Sequence, residues 1–191
     1  MINLIDTLLG KSDHVCPWWC CLTFDNFLRK LLQDPVAIVS KYIAPGDTVL
    51  DIGPGQGFFT VPMARMVGES GTVIAIDVQN AMLSRLMSRA EQRGVANRIT
   101  PRLVKPDSLA LDVQADFVLA FWMVHEVPDR NRLLKEMYDA LKPGKSLLIA
   151  EPTVHVSGRR FRETVAEARG IGFTLVGEPD IFFSRSALLR K

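Results

Sequence analysis

A chain of 191 residues with 48% hydrophobic and 23% charged side chains has the composition of one globular domain and leaves little room for a second. Its 23 basic and 21 acidic groups give a formal net charge of +2, which excludes wholesale electrostatic attraction to nucleic acid. No segment reaches the roughly 18 uninterrupted apolar residues of a membrane span. The opening Met1-Ile2-Asn3-Leu4-Ile5-Asp6 lacks the basic and apolar regions of a secretory signal.

Residues 1–34 precede the first strand–helix unit and form an N-terminal segment, with the main domain expected over 35–191. Cys16, Cys20 and Cys21 crowd one short stretch. An odd count so placed argues against a disulfide framework and for a reducing compartment, so a cytoplasmic protein is expected. His14 and the three cysteines add up to four zinc-type ligands. Cys20 and Cys21 are adjacent, however, and no C-x-x-C pair occurs, so no metal site is expected. A thiol site for a soft metalloid is the other reading of these cysteines, and an apolar lid or a contact between two copies is the favoured one.

From about Asp47 onward short apolar runs alternate with longer amphipathic ones. Thr48–Ile52 reads as a strand ending in glycines, and Phe58–Val67 as a helix that tolerates Pro62 in its first turns. Thr72–Asp77 is a second strand. Asn80–Arg93 is a helix with Met82, Leu83, Leu86, Met87 and Ala90 on one face, closed by Gly94. Strands are expected over Ile99–Val104 and Ala115–Phe121, then a helix over Asp129–Leu141 that stops at the turn signal Lys142-Pro143-Gly144. Ser146–Ala150 is a fifth strand and Gly158–Arg169 a helix. Phe173–Val176 and Ile181–Leu189 are two final strands joined through Glu178-Pro179-Asp180.

Nearly continuous apolar strands alternating with helices predict a mostly parallel α/β sheet covered on both faces. The last connection is too short for a crossover, so its strands are expected to be antiparallel. In open sheets of this kind a ligand sits beyond the carboxyl ends of the strands, at the switch point.

The most informative stretch is Val49-Leu50-Asp51-Ile52-Gly53-Pro54-Gly55-Gln56-Gly57-Phe58-Phe59-Thr60. Gly53, Gly55 and Gly57 lie between a strand and a helix, where glycine lets a ligand approach the backbone; a plain glycine-rich turn has the same appearance. A dinucleotide fingerprint needs G-x-G-x-x-G, and the third position here is Phe58. The spacing suits a ligand without a pyrophosphate. Asp51, just before the glycines, is a candidate partner for a cationic group such as an amino acid ammonium.

Asp77 ends the next strand about twenty residues on, where a carboxylate accepts hydrogen bonds from both ribose hydroxyls. An acid at a helix N-terminus is the plainer reading. Val78 and Met82 are candidates to flank an adenine face, although Met82 also reads as a core residue.

These two motifs, with Asn80-Ala81-Met82-Leu83, Ala115-Asp116-Phe117-Val118, Val124-His125-Glu126-Val127-Pro128-Asp129 and Leu141-Lys142-Pro143-Gly144-Lys145, resemble those of class I S-adenosylmethionine (SAM)-dependent methyltransferases. The small type 11 branch, which includes quinone-biosynthesis C-methyltransferases, is the subgroup resembled, over about residues 35–191. The resemblance implies a Rossmann-like seven-stranded sheet of order 3-2-1-4-5-7-6. It implies that Gly53, Gly55 and Gly57 line the methionine part of SAM and that Asp77 holds its ribose. The family often has an acid after the third strand, where this chain aligns Lys105; Asp107 and Ser108 are the candidates for the adenine edge. N-terminal segments in the family often cover the SAM pocket, which makes Trp18, Trp19 and Phe24 candidate lid residues.

Transfer of a methyl from a sulfonium needs alignment and exclusion of water, and a base only where the acceptor must lose a proton. His125, after the fourth strand, is the candidate base, against a capping or packing role. Phe121 and Trp122 are expected to wall the pocket and Glu151 to sit at its mouth. After the fourth strand Ala120-Phe121-Trp122-Met123 replaces the Asn/Asp-Pro-Pro-aromatic run of amine-directed enzymes. A small, partly apolar acceptor is therefore expected. A non-catalytic SAM-binding module is the alternative, and an NAD-linked oxidoreductase is disfavoured by Phe58.

Overall fold

The computed structural model describes residues 32–105, 108–109 and 111–191. Seven strands form one sheet in the order β3-β2-β1-β4-β5-β7-β6, the order that the resemblance implied. In chain order they are β1 (Thr48–Ile52), β2 (Thr72–Asp77), β3 (Ile99–Leu103), β4 (Ala115–Phe121), β5 (Leu141–Pro152), β6 (Thr174–Gly177) and β7 (Ser184–Arg190). The first five run parallel, and β7 pairs antiparallel with both β5 and β6. The α-helices that accompany them among the described residues include α1 (Pro35–Val39), α2 (Thr60–Met66), α3 (Asn80–Gln92), α4 (Arg130–Ala140) and α5 (Gly158–Ile171).

Successive residues of a strand point to opposite faces, so each apolar strand feeds two cores. Leu50, Ile52, Ile74, Ile76, Val118 and Ala120 pack with Leu134 and Met137 of α4 and Phe161 and Ala168 of α5. Val49, Val73, Ala75, Phe117 and Leu119 pack with Val39 of α1, Met63 of α2 and Leu83, Leu86 and Ala90 of α3. Burial on both faces is why β1, β2 and β4 carry hardly any polar side chain. The two helices of the first face, α4 and α5, begin with side-chain caps. Asp129 accepts from the Arg132 N–H at 3.0 Å and Ser157 from the Arg160 N–H at 3.2 Å. Each such cap contributes about 1 kcal/mol.

The glycine-loop helix is shorter than the sequence suggests, beginning at Thr60, because Gly57 and the two phenylalanines belong to the turn before it. The fifth strand is longer. It begins at Leu141, directly after α4, and runs to Pro152 rather than covering only Ser146–Ala150. Lys142-Pro143-Gly144-Lys145 is a bulge within it: Ala115 pairs with Leu141, and Phe117 with Ser146.

Asp116 explains the detour. Its carboxylate accepts from Lys142 Nζ at 2.7 Å and from the Thr48 N–H at 3.1 Å, with Lys145 Nζ 3.2 Å away. Burial alone would raise its pKa, but these donors outweigh that and hold it below the usual carboxylate value. The final strand also starts later than expected, at Ser184. A turn closed by the Ser184 N–H on the Ile181 carbonyl (2.9 Å) occupies the residues before it. Among the described residues no helix is long and apolar enough to cross a membrane.

Candidate functional site

β1 and β2 end side by side, and the chain leaves both toward the same end of the sheet. The Gly53 N–H still donates to the Ile76 carbonyl at 2.9 Å, so the glycine loop begins as an extension of the ladder. It then turns through Gly53, Gly55 and Gly57, all with positive φ, closed by the Gly57 N–H on the Pro54 carbonyl (3.0 Å). The glycines differ in what surrounds them. A Cβ at Gly55 would meet nothing within 4 Å, whereas one at Gly57 would lie 3.1 Å from Leu86 Cγ of α3. Gly57 therefore lets α2 and α3 pack closely, and Gly55 leaves open the space above the loop.

That space is a cleft with a cavity volume of about 170 Å³. Gly53, Gly55, Asp77, Val78, Gln79 and Met82 line one side. Lys105, Ser108 and Leu109 line the edge beyond β3; Trp122, Met123, Glu126, Asp129, Arg132 and Glu136 close the other side. The Asp77 carboxyl faces this cleft and accepts from the Gln79 N–H at 2.8 Å, as well as from the Val78 and Gly55 N–H groups. Burial raises its pKa, and those N–H donors pull it part of the way back. Glu136 ties the far edge together: its carboxylate accepts from the Leu109 N–H at 2.6 Å and from Arg132 Nε at 3.0 Å.

Beside the cleft, β4 and β5 bring a second group of polar side chains together. Glu151 is only 2% exposed. One of its oxygens accepts from the Val124 N–H at 2.8 Å, and the other contacts His125 Nδ1. His125 Nε2 lies 4.0 Å from Glu126 Oε1, and the His125 ring stacks on His155 with centroids 6.0 Å apart. Trp122 adopts φ 60°, uncommon for a bulky residue, and its indole donates to Ser184 Oγ at 2.8 Å.

Of the residues singled out in the sequence, Gly53, Gly55, Asp77, Val78, Met82, Ser108 and Trp122 converge on the cleft. Asp51, Gly57, Phe121, His125 and Glu151 are not among its lining residues. Asp51 is buried under the loop, where Thr60 Oγ1 donates to it at 2.6 Å. Phe121 packs between Phe59 and Trp122. Glu151 is a buried anchor for the segment after β4, not a solvated strand end. Asp107, Trp18, Trp19 and Phe24 lie outside the described residues, as do His14 and the three cysteines. Among the described residues no group of three or more His, Cys, Asp or Glu is disposed to hold a metal.

Met123, which the sequence offered as apolar acceptor surface, lines the cleft; Gln79, Arg132 and Glu136, which it did not single out, line it too. Arg132 and Glu136 read as an ordinary i, i+4 surface pair, and the sequence carries no signal that this face of α4 looks into the cleft.

The cleft suits a nucleoside joined to a small polar group. It has an acceptor for hydroxyls at Asp77, apolar surface at Ile76, Val78 and Met82 for a base, and unfilled backbone space at Gly55. Gly55→Ala is expected to cost only the strain of a positive φ, about 1 kcal/mol, and to weaken nucleoside binding, because the new methyl enters that space. Gly57→Ala adds a push on Leu86 to the same strain and should lower the melting temperature further. Thermal melts and calorimetry on the two variants check this contrast.

Comparison with known proteins gives the same reading. A family model described as "Methyltransferase domain" matches residues 49–144, half of the chain. The ubiquinone/menaquinone biosynthesis C-methyltransferase UbiE of Vibrio vulnificus (strain YJ016) is 32% identical over 108 residues, covering 56% of this chain and 42% of that protein. The chain thus spans less than half the length of this curated relative. A SAM-dependent methyltransferase from Aquifex aeolicus superposes with a TM-score of 0.81 at 22% identity, covering 92% of this chain and 98% of the other. A SAM-dependent O-methyltransferase from Thermotoga maritima superposes with a TM-score of 0.67 at 20% identity, covering 83% and 64%. At these identities the two superpositions speak for the fold alone. With the glycine loop and the cleft acid both inside the matched stretch, the chain belongs to the methyltransferase domain family.

Proposed function

We propose that this chain binds SAM in the cleft between the glycine loop and the segment after β4, and transfers its methyl group to a small, partly apolar acceptor. The observation that carries the reading is the pairing of open backbone at Gly55 with the adjacent Asp77 carboxyl in one cleft. SAM supplies a methyl group already activated on a sulfonium. The work left to the protein is orientation and the exclusion of water. Trp122 and Met123, facing the cleft beyond the loop, favour an apolar acceptor surface. The C-methyltransferase activity named for the Vibrio relative is in keeping with an acceptor of quinone type.

His125 is the base in this reading. Its Nδ1 is engaged by the buried Glu151 carboxylate, which favours the tautomer with the proton on Nδ1 and leaves the Nε2 lone pair to accept a proton. Glu151 is then a positioning residue, orienting the ring through Nδ1 while its other oxygen holds the Val124 N–H.

Calorimetry with S-adenosylhomocysteine and a transfer assay with methyl-labelled SAM on quinols and phenols test the proposal. Micromolar binding with label transfer is expected, and absence of binding overturns it. His125→Ala is expected to lower kcat about a hundredfold to ten-thousandfold while leaving S-adenosylhomocysteine affinity unchanged. An unchanged kcat would make His125 a packing residue.

A further inference from the structure

Three features at one end of the molecule lie outside the methyl-transfer reading. The first is an exposed aromatic pair. Phe182 is 47% and Phe183 54% exposed, and Val154 beside them is 70% exposed. The Thr153 N–H donates to the Phe183 carbonyl at 3.1 Å, which joins the turn before β7 to the loop after β5. Scattered apolar residues are normal on a surface; adjacent ones held together on tied loops make a patch.

The second is backbone strain under that patch. Phe183 has φ 59°, a left-handed conformation that a bulky side chain adopts at a cost and that glycine or asparagine would adopt more easily. Strain of this kind is retained where the side chain has a use.

The third is charge placed against the helix dipole. Arg159, Arg160 and Arg162 crowd the first turns of α5, where the partial positive charge of the helix end disfavours cations, and no acid lies in its first turn. Arg185 adds to them: measured from the point where a Cβ at Gly158 would stand, Arg162 Nη1 is 3.3 Å and Arg185 Cζ 3.8 Å away. Glu163 lies 3.8 Å from Arg159, and the buried Glu151 stands opposite Arg185 across β5 and β7. Arg160 donates to the His125 carbonyl at 3.3 Å and Arg185 to the Val156 carbonyl at 3.1 Å, which leaves Arg159 and Arg162 as the outward pair.

All of these residues follow the carboxyl end of β5 or lead into the antiparallel β7, so they share the end of the sheet that carries the cleft. Trp122, which lines the cleft, is bonded to Ser184, the residue after Phe183.

We infer that this aromatic and cationic rim docks on an anionic lipid surface, with Phe182, Phe183 and Val154 entering the headgroup boundary and Arg159 and Arg162 facing lipid phosphates. Exposed aromatics rimmed by arginine have the chemistry of an interfacial contact, in which apolar insertion and electrostatic attraction add. The opposing choice, a second copy of this chain on the same face, sets like charges against each other across a two-fold contact. Docked this way, the mouth of the cleft faces the apolar phase, from which a lipid-dissolved acceptor enters without crossing water.

Sedimentation of the full chain with vesicles of mixed phosphatidylcholine and phosphatidylglycerol tests the inference. The chain is expected in the pellet with mixed vesicles, largely in the supernatant with phosphatidylcholine alone, and released by high salt. Phe182→Ser with Phe183→Asn should lower the bound fraction about tenfold. The melting temperature should not fall, because asparagine relieves the strain at position 183. Arg159→Gln with Arg162→Gln should abolish the preference for anionic vesicles. Wild-type protein that stays in the supernatant with both compositions, or a phenylalanine variant that pellets like wild type, overturns the inference. So does self-association in the absence of vesicles that the phenylalanine variant abolishes, which assigns the face to a second copy. Affinity for S-adenosylhomocysteine should be unchanged in all these variants, so a failure of cofactor binding counts against the methyltransferase reading and leaves the lipid contact standing.

Discussion

Asp77→Ala is expected to weaken S-adenosylhomocysteine binding by a hundredfold or more. Two ribose hydroxyls donating to one carboxylate make charge-assisted bonds of about 1.5–3 kcal/mol each, and each 1.4 kcal/mol is a factor of ten. The variant also frees the N–H groups of Gly55, Val78 and Gln79, which the carboxyl now gathers. The loop therefore loses the anchor that holds it against the end of β2, and part of the effect is lost preorganisation. Asp77→Asn separates the two contributions. It keeps an acceptor for the N–H groups but has one oxygen fewer for hydroxyls, so its affinity should fall between wild type and alanine. The pH dependence carries a sign. Burial raises the Asp77 pKa above the ordinary aspartate value, so affinity should be full at neutral pH and should fall on acidification sooner than for an exposed aspartate. Calorimetric affinity that is equal in wild type and Asp77→Ala would remove the central support of the proposed function.

Stability should decrease as pH rises from about 4 to about 7, against the usual trend for acidic groups, and Asp51→Asn should flatten the curve. Burial pushes the Asp51 carboxyl from 3.8 up to about 7; the Thr60 hydroxyl opposes the shift and the nearby Asp77 charge adds to it. Between those two values the folded chain holds a proton that the unfolded chain releases. The stabilisation from that proton is full below the unfolded pKa and is lost as pH rises through the folded one. A shift of this size is worth at most about 4 kcal/mol. For a domain of this size a loss of even half that lowers the melting temperature by about 4–8 °C. Asparagine retains an acceptor for Thr60 and cannot ionise, so the variant should melt higher than wild type above neutrality and close to it in acid. Parallel curves for the two proteins would show that the titration belongs to another group.

Asp51 also shows how far the sequence was legible. Its place before the glycines suggested a ligand contact. Strand alternation carries a contrary signal: Leu50 and Ile52 point to one face, so Asp51 shares the face of Val49, toward α2 and Thr60. A similar rule separates Gly57 from Gly55. Both turn the loop, but Gly57 lies next to the start of α2 and serves its packing on Leu86 of α3.

The strands, the order of elements and the two acid-and-glycine motifs were readable because they depend on local pattern: apolar runs, glycines and caps act over a few residues. Residues 48–52, 72–77 and 115–121 were bounded correctly for that reason. The Lys-Pro-Gly stretch misled because a bulge and a turn share the same chemistry, and what distinguishes them is Asp116, on a neighbouring strand. The His125–Glu151 contact joins residues 26 apart, through a register that sets Phe121 opposite Ala150. The orientation of Arg132 and Glu136 into the cleft depends on how α4 lies on the sheet. Sequence by itself therefore determined the elements and the place of the glycine loop and its neighbouring acid, which local energetics specify. Only the tertiary structure decided which side chains share the cleft, because that follows from strand register and helix packing between segments far apart in the chain.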